Sequence, residues 1–422
     1  MHDSMAFVKD HVELTRRFFL QLGAAGVAAW SASSLAAQDP GTDALLTDAV
    51  AKLEYLTSLP SIKPGGRGNP PPSKLPRETL REVGLVPETW YLEVVPDTES
   101  ELKNRPKLEQ PLSRELGTAL DWKGLMKLAE RSAVRFLHVC TCTNVADPFH
   151  MCLWEGVPLR EVIWMAGPKA NVRRAFYYGY HNEQSKRFQS SLPLGRILED
   201  PPGESPVILA YKMNGQDIPG PLGGPVRMIV PGAYGNKSIK WLQHIVLTNE
   251  FQANDSYAQA NNDTESPIKT QARFIHAPTE LQPGKPAALT GLAQVGMSGL
   301  SKVQYCVRSQ NNPWPEHDPY LTKGDWKEAT ILPPPQHWGG GLPEGKLPAV
   351  PTQINPATGK PHVWPIRYTI VHWAALLGPL PAGKYDLCCR TIDANGLAQP
   401  MPRPLPKTGA NAIQQVTLTV QA

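Results

Sequence analysis

From about Ser266 onward, short strand-like runs recur between turn signals: Ala287–Val295, Lys302–Val307, Tyr368–Ala375, Lys384–Ile392 and Ala412–Val420. Asp393-Ala394-Asn395-Gly396 marks a turn between the fourth and fifth runs. A chain that alternates in this way packs sheet on sheet, so residues 266–422 are expected to form a β-sandwich. Composition agrees: 44 Pro and 34 Gly in 422 residues rule out a helical bundle.

The stretch before this region has a different texture. Residues 81–265 mix predicted strands (Val134–Val139, Val207–Met213, Val226–Val230, Ile239–Leu247) with predicted helices (Leu125–Glu130, Pro158–Met165). Together the two stretches predict an α+β fold. Residues 38–80 read as an N-terminal extension, helical near Thr42–Leu59 and ending in a Pro/Gly-rich linker over residues 60–76. Residues 333–364, also rich in Pro and Gly, read as a long excursion on the sandwich.

Residues 1–37 have the layout of a signal peptide. Arg16-Arg17-Phe18-Phe19-Leu20 precedes a short apolar run, and small residues follow at Ser33, Ser34, Ala36 and Ala37. The paired arginines resemble a twin-arginine export signal, which implies the periplasm. The run is too short to span a bilayer, and no later stretch holds 18 consecutive apolar residues, so no membrane span is expected in the mature chain. A formal net charge of +4 points to no nucleic-acid partner. None of the six cysteines lies in a C-x-x-C-H haem motif or a paired C-x-x-C zinc array.

Three blocks carry chemistry: His138-Val139-Cys140-Thr141-Cys142-Thr143-Asn144, then Leu153-Trp154-Glu155-Gly156-Val157-Pro158-Leu159, then Gly223-Gly224-Pro225-Val226-Arg227 running on to Gly232-Ala233-Tyr234-Gly235 and Ser238-Ile239-Lys240-Trp241. In this order, with Ser191-Leu192-Pro193-Leu194 between the second and third, they resemble the sulfite oxidase family of molybdopterin-dependent oxidoreductases. Gly383-Lys384-Tyr385 and Asp393–Pro400 resemble that family's immunoglobulin-like dimerisation domain. The resemblance covers residues 85–422. It implies a sulfite-oxidase-like molybdopterin-binding catalytic domain over 81–265, followed by an immunoglobulin-like β-sandwich that forms a homodimer.

The resemblance also implies a molybdenum–molybdopterin cofactor held by one cysteine thiolate, a soft ligand suited to that metal. Cys140 and Cys142 are two apart and share a side of an extended strand. Cys140 follows its strand as the family ligand does, and Cys142 lies closer to Asn144. Both stand as metal candidates, Cys140 preferred. Asn144, Gly232, Gly235, Lys237, Ser238 and Lys240 are expected to bind cofactor, the glycines by close backbone approach and the lysines by charge. Tyr257, within Asn254-Asp255-Ser256-Tyr257, resembles the family tyrosine beside the metal and stands with Cys140 as catalytic.

The implied activity is oxygen-atom transfer on a small sulfite-like anion, with electrons passed to an external c-type cytochrome. The family's Arg-Asn-His run has no counterpart at Glu88–Val95, which loosens the link to sulfite itself. Two other readings stand beside it: a non-catalytic relative acting as a periplasmic assembly or binding module, and a soft-metal-binding protein.

Overall fold

The computed structural model describes residues 40–65, 71–145, 147–181, 188–253, 256, 263–318, 321–400 and 409–421. The expected signal peptide and Tyr257 lie outside these residues. Among them, no helix is long and apolar enough to cross a membrane.

Two five-stranded sheets occupy the first half. One runs in the order Leu120–Asp121, Tyr91–Pro96, Leu242–Thr248, Arg174–Gly179, Gln189–Pro193. Tyr91–Pro96 and Leu242–Thr248 are parallel, and the other pairs are antiparallel. The other sheet places Val134–Cys140, His150–Pro158, Ile208–Met213 and Gln216–Asp217 side by side, with Arg227–Ile229 against the third strand.

The helix Trp122–Ser132 is capped by the Asp121 carboxylate, which accepts from the Gly124 N–H at 2.7 Å. It turns Leu125 and Leu128, three apart, into a core shared with Leu92, Val94, Val162 and Ile245. The predicted helix Pro158–Met165 forms as Leu159–Met165, and the run before it is strand.

Eight strands make up the second half, in the order Gln271–His276, Ala287–Gln294, Ile370–Leu377, Lys327–Ile331, Lys302–Ser309, Gly383–Ile392, Gln414–Val420, Glu280–Leu281. Lys327–Ile331 belongs to both layers. Its start pairs with Lys302–Ser309 (Val303 opposite Ala329), and its end pairs with Ile370–Leu377 (Thr330 opposite Ala374). The resulting β-sandwich buries Leu289, Trp373, Val303, Tyr305, Leu387 and Leu418 between its faces.

The helix expected over Thr42–Leu59 is shorter, Pro40–Val50. Beyond it the chain is drawn out by tertiary pairing. Tyr55 and Leu56 N–H groups both donate to the Trp338 carbonyl, and Thr57 exchanges hydrogen bonds with Met151. The excursion over 333–364 is therefore a strut. Gln353 accepts from the Leu137 N–H and donates to the Leu137 carbonyl, tying the excursion to the strand that ends at Cys140.

Candidate active site

The site grows out of one hairpin. Val134–Cys140 and His150–Pro158 pair with Cys140 opposite His150 and His138 opposite Cys152. Directly opposed and alternate residues share a sheet face, so Phe136, His138, Cys140, His150, Cys152 and Trp154 all point to one side. Leu137, Val139, Met151 and Leu153 point to the other side, into a cluster with Tyr55, Trp338 and Ile370. The hairpin thus seats its apolar face on the sandwich and offers thiol and imidazole groups to a cavity of about 870 Å³.

Cys140, Cys142, His150, Arg227, Gly235, Asn236, Ser238 and Lys240 all line that cavity. The Arg227 guanidinium is buried, stacks 5.0 Å from the Trp154 ring centroid and donates to the Leu222 carbonyl at 3.0 Å. It lies near enough to Cys140 for the two to interact electrostatically. Burial depresses its pKa, and the charge on Cys140 opposes that. Desolvating such a charge costs several kcal/mol, while a cation–π contact returns about 2 kcal/mol, so the guanidinium depends on its remaining partners. Lys240 donates to the Gly65 carbonyl at 2.9 Å, and its pKa is lowered to about 8, first by burial and then by Arg227. With the exposed Lys63, these two make three cations lining the cavity. Among the described residues the one lining carboxylate, Asp147, is already paired with Arg273 at 2.8 Å.

Glycines make room for these groups. A Cβ on Gly223, where φ is +105°, would lie 2.6 Å from Lys240 and 3.0 Å from Arg227. A Cβ on Gly235 would project to 3.6 Å from the Cys140 sulfur, filling the space beside the thiol.

Buried polar atoms without a partner cluster here: both ring nitrogens of His150, Nε of Arg227, Oδ1 of Asn236, and the hydroxyls of Thr141 and Thr143. Burial, ahead of Arg227 and Lys240, drives the His150 pKa down to about 3, so the ring is neutral with one donor and one acceptor to offer. A soft thiol, the buried cations Arg227 and Lys240 and unpaired donors and acceptors fit an anionic, heteroatom-rich ligand carrying a soft metal.

The expected site residues divide. Gly235, Ser238 and Lys240 line the cavity with both candidate cysteines. Gly232 does not: its N–H donates to His138 Nε2 at 3.1 Å, and its missing Cβ leaves room for the Tyr368 ring of the sandwich. Lys237 is fully buried and donates to the Ser191 carbonyl at 2.9 Å, bracing the wall behind the cavity. Asn144 is exposed and lies outside the lining. Arg227 and His150 carry more of the site than the motifs alone indicated. Counting back across the hairpin from Cys140 gives the His150 position. Lys63, from the N-terminal extension, was not foreseen: residues 61–65 form one wall of the cavity.

Fold and cavity together suit a domain that binds an anionic cofactor. Residues 108–256 match the family described as "Oxidoreductase molybdopterin binding domain". The chain is 36 % identical over 100 residues to the mitochondrial sulfite oxidase of Rattus norvegicus, covering 23 % of this chain and 18 % of that protein. It is 35 % identical over 98 residues to the NADPH nitrate reductase of Beauveria bassiana, covering 23 % of this chain and 11 % of that one. The matched stretch is thus less than a fifth of either relative. In fold, it is similar to the sulfane dehydrogenase SoxCD from Paracoccus pantotrophus, with a TM-score of 0.53 at 16 % identity over 80 % of this chain and 79 % of that one. Residues 108–256 thus match a molybdopterin-binding oxidoreductase domain, similar over this stretch to sulfite oxidase and nitrate reductase, and a molybdenum–molybdopterin cofactor is what that domain implies.

Proposed function

We propose that this chain is an exported oxidoreductase that exchanges an oxygen atom and two electrons with a small sulfite-like oxyanion, at a molybdenum–pterin held beside Cys140. One observation carries the reading: Arg227 and Lys240 stand with the Cys140 thiol in a cavity whose only lining carboxylate among the described residues, Asp147, is already paired. Such a pocket stabilises an anionic group next to a soft ligand.

When bound, the cofactor supplies a metal that cycles by two electrons and prefers thiolate ligation. The chain's own residues do the rest. Cys140 provides the thiolate, and Cys142 lies at the same wall without the Arg227 interaction. Lys240, Arg227 and Ser238 hold anionic oxygens, and His150 and Asn236 meet the heterocycle's donors and acceptors. Residues 61–65 close one side against water, which strengthens every charge interaction inside. Lys63, exposed on that wall, draws anions toward the opening.

Electrons leave to an external c-type cytochrome, since no haem motif occurs in this chain. The Arg16-Arg17 signal takes the protein to the periplasm, and the sandwich, taken as immunoglobulin-like, pairs two copies. Sulfite is favoured over nitrate by the family resemblance of residues 85–422, although relatives of both kinds match.

The test is metal and pterin analysis of protein purified from its own cells, followed by sulfite-dependent reduction of cytochrome c. Stoichiometric molybdenum with pterin and sulfite turnover are expected. Absence of metal would support the non-catalytic reading, and copper or zinc alone the soft-metal one. Nitrate turnover without sulfite turnover would reassign the substrate.

A further inference from the structure

The sandwich holds three cysteines, Cys306, Cys388 and Cys389, all buried free thiols. Adjacent strand residues face opposite ways, and the neighbours show which way each cysteine points. Val303, Tyr305, Leu387 and Cys389 are in the core between the two layers. Cys306 and Cys388 therefore lie on the outer face, with Gln304, Arg308, Asp386 and Arg390.

On that face Cys306 and Cys388 are register partners in the antiparallel pair Lys302–Ser309 with Gly383–Ile392. The hydrogen-bond phase of the ladder places them further. Gln310 N–H donates to the Lys384 carbonyl at 2.9 Å, one step beyond the Ser309–Tyr385 pair. Hydrogen-bonded pairs alternate along such a ladder, so the pair at 306 and 388 is one of them, with Cα atoms roughly 5.5 Å apart. Disulfides span Cα separations of about 4.4–6.8 Å, most often near that value. A turn packs over the Cys306 thiol: a Cβ on Gly324 would reach 3.1 Å from the Cys306 sulfur, and Trp326 lies under the Arg390 guanidinium at 4.0 Å.

We propose that Cys306 and Cys388 form a disulfide-forming dithiol site on the outer face of the sandwich, oxidised by a disulfide-bearing thiol oxidant. One thiolate attacks a sulfur of the oxidant, whose other sulfur leaves as a thiolate. The second cysteine then attacks the mixed disulfide, forming the Cys306–Cys388 bond and releasing the oxidant fully reduced. Two electrons and the two thiol protons pass to the oxidant's sulfurs. Cys306 is the first attacker, because burial drives the Cys388 thiol up to about 12 while leaving Cys306 less perturbed. The turn at Gly324 sets the rate, since the oxidant reaches Cys306 only when that turn lifts.

The full chain is incubated with oxidised glutathione, denatured, alkylated and mapped by mass spectrometry after digestion. The expected result is four alkylated thiols in place of six, with the peptides carrying Cys306 and Cys388 joined. Side chains stand further apart at a hydrogen-bonded pair than at a non-hydrogen-bonded one, so the bond should be readily reducible and disappear on mild reduction. Cys389→Ser should keep the cross-link and Cys306→Ser should lose it. Six alkylated thiols in the oxidised protein, or joined peptides that use other cysteines, would overturn the proposal. Mapping needs only the native chain, so a variant that fails to fold leaves the test intact.

Discussion

Cys140 lies directly opposite His150 in an antiparallel pair, and the Arg227 guanidinium lines the same cavity from the strand Arg227–Ile229. That relationship sets a single thiol between an unpaired neutral imidazole and a buried cation, the arrangement on which the functional account rests. Four predictions test how the surrounding structure supports it.

Gly223→Ala attacks the geometry without touching a ligand. Its Cβ would press on Lys240 and on Arg227, at a φ that favours glycine. Strain of this kind costs on the order of 1–3 kcal/mol. Pterin content per folded chain should fall several-fold while circular dichroism stays native. Full pterin occupancy in this variant would mean that Arg227 and Lys240 do not hold the cofactor.

Gly291 plays the matching part in the sandwich. A Cβ there would meet the Trp373 ring at 2.2 Å and the Arg273 carbonyl at 2.3 Å. Trp373 is fully buried, so it has nowhere to go. Gly291→Ala should lower stability by about 1–3 kcal/mol, seen as a fall in the urea midpoint. An unchanged midpoint would contradict the packing of Trp373 over Gly291 on neighbouring strands of this layer.

His372 gives the fold a pH dependence. Burial lowers its pKa from the ordinary 6.5 to about 4, and its ring lies 4.3 Å from that of Tyr55. The folded state binds the proton less well than the unfolded chain does. The neutral ring's contribution is therefore complete above pH 6.5 and is lost as pH falls from there toward 4. The loss amounts to about 3 kcal/mol at most. Thermal midpoints from pH 7.5 to 4.5 should fall more steeply for the native protein than for His372→Gln. Parallel curves would mean that His372 does not titrate differently on folding.

Much of the architecture was legible because short strand-like runs recur between turn signals in the sandwich, from Ala287 to Val420. The strands Tyr91–Pro96 and Arg174–Gly179 were not: their boundaries carry charges, and their pairing partner Leu242–Thr248 is remote in sequence. The loop from Gly232 to Lys240 was readable as a unit. Its division was not, because only the folded hairpin shows that His138 occupies the Gly232 N–H and Ser191 the Lys237 ammonium. The wall at Ser61–Gly65 was hidden in a Pro/Gly segment with no periodicity. Its place comes from tertiary hydrogen bonds, Thr57 with Met151 and Lys240 with Gly65.

The central claim is that Cys140 alone supplies the protein sulfur to the metal. X-ray absorption at the molybdenum edge, on the native protein and on Cys140→Ser and Cys142→Ser, tests it most directly. The account predicts loss of one sulfur scatterer in Cys140→Ser and an unchanged count in Cys142→Ser, with pterin retained in both through Lys240 and Ser238. Loss only in Cys142→Ser, or an unchanged count in both, would contradict it.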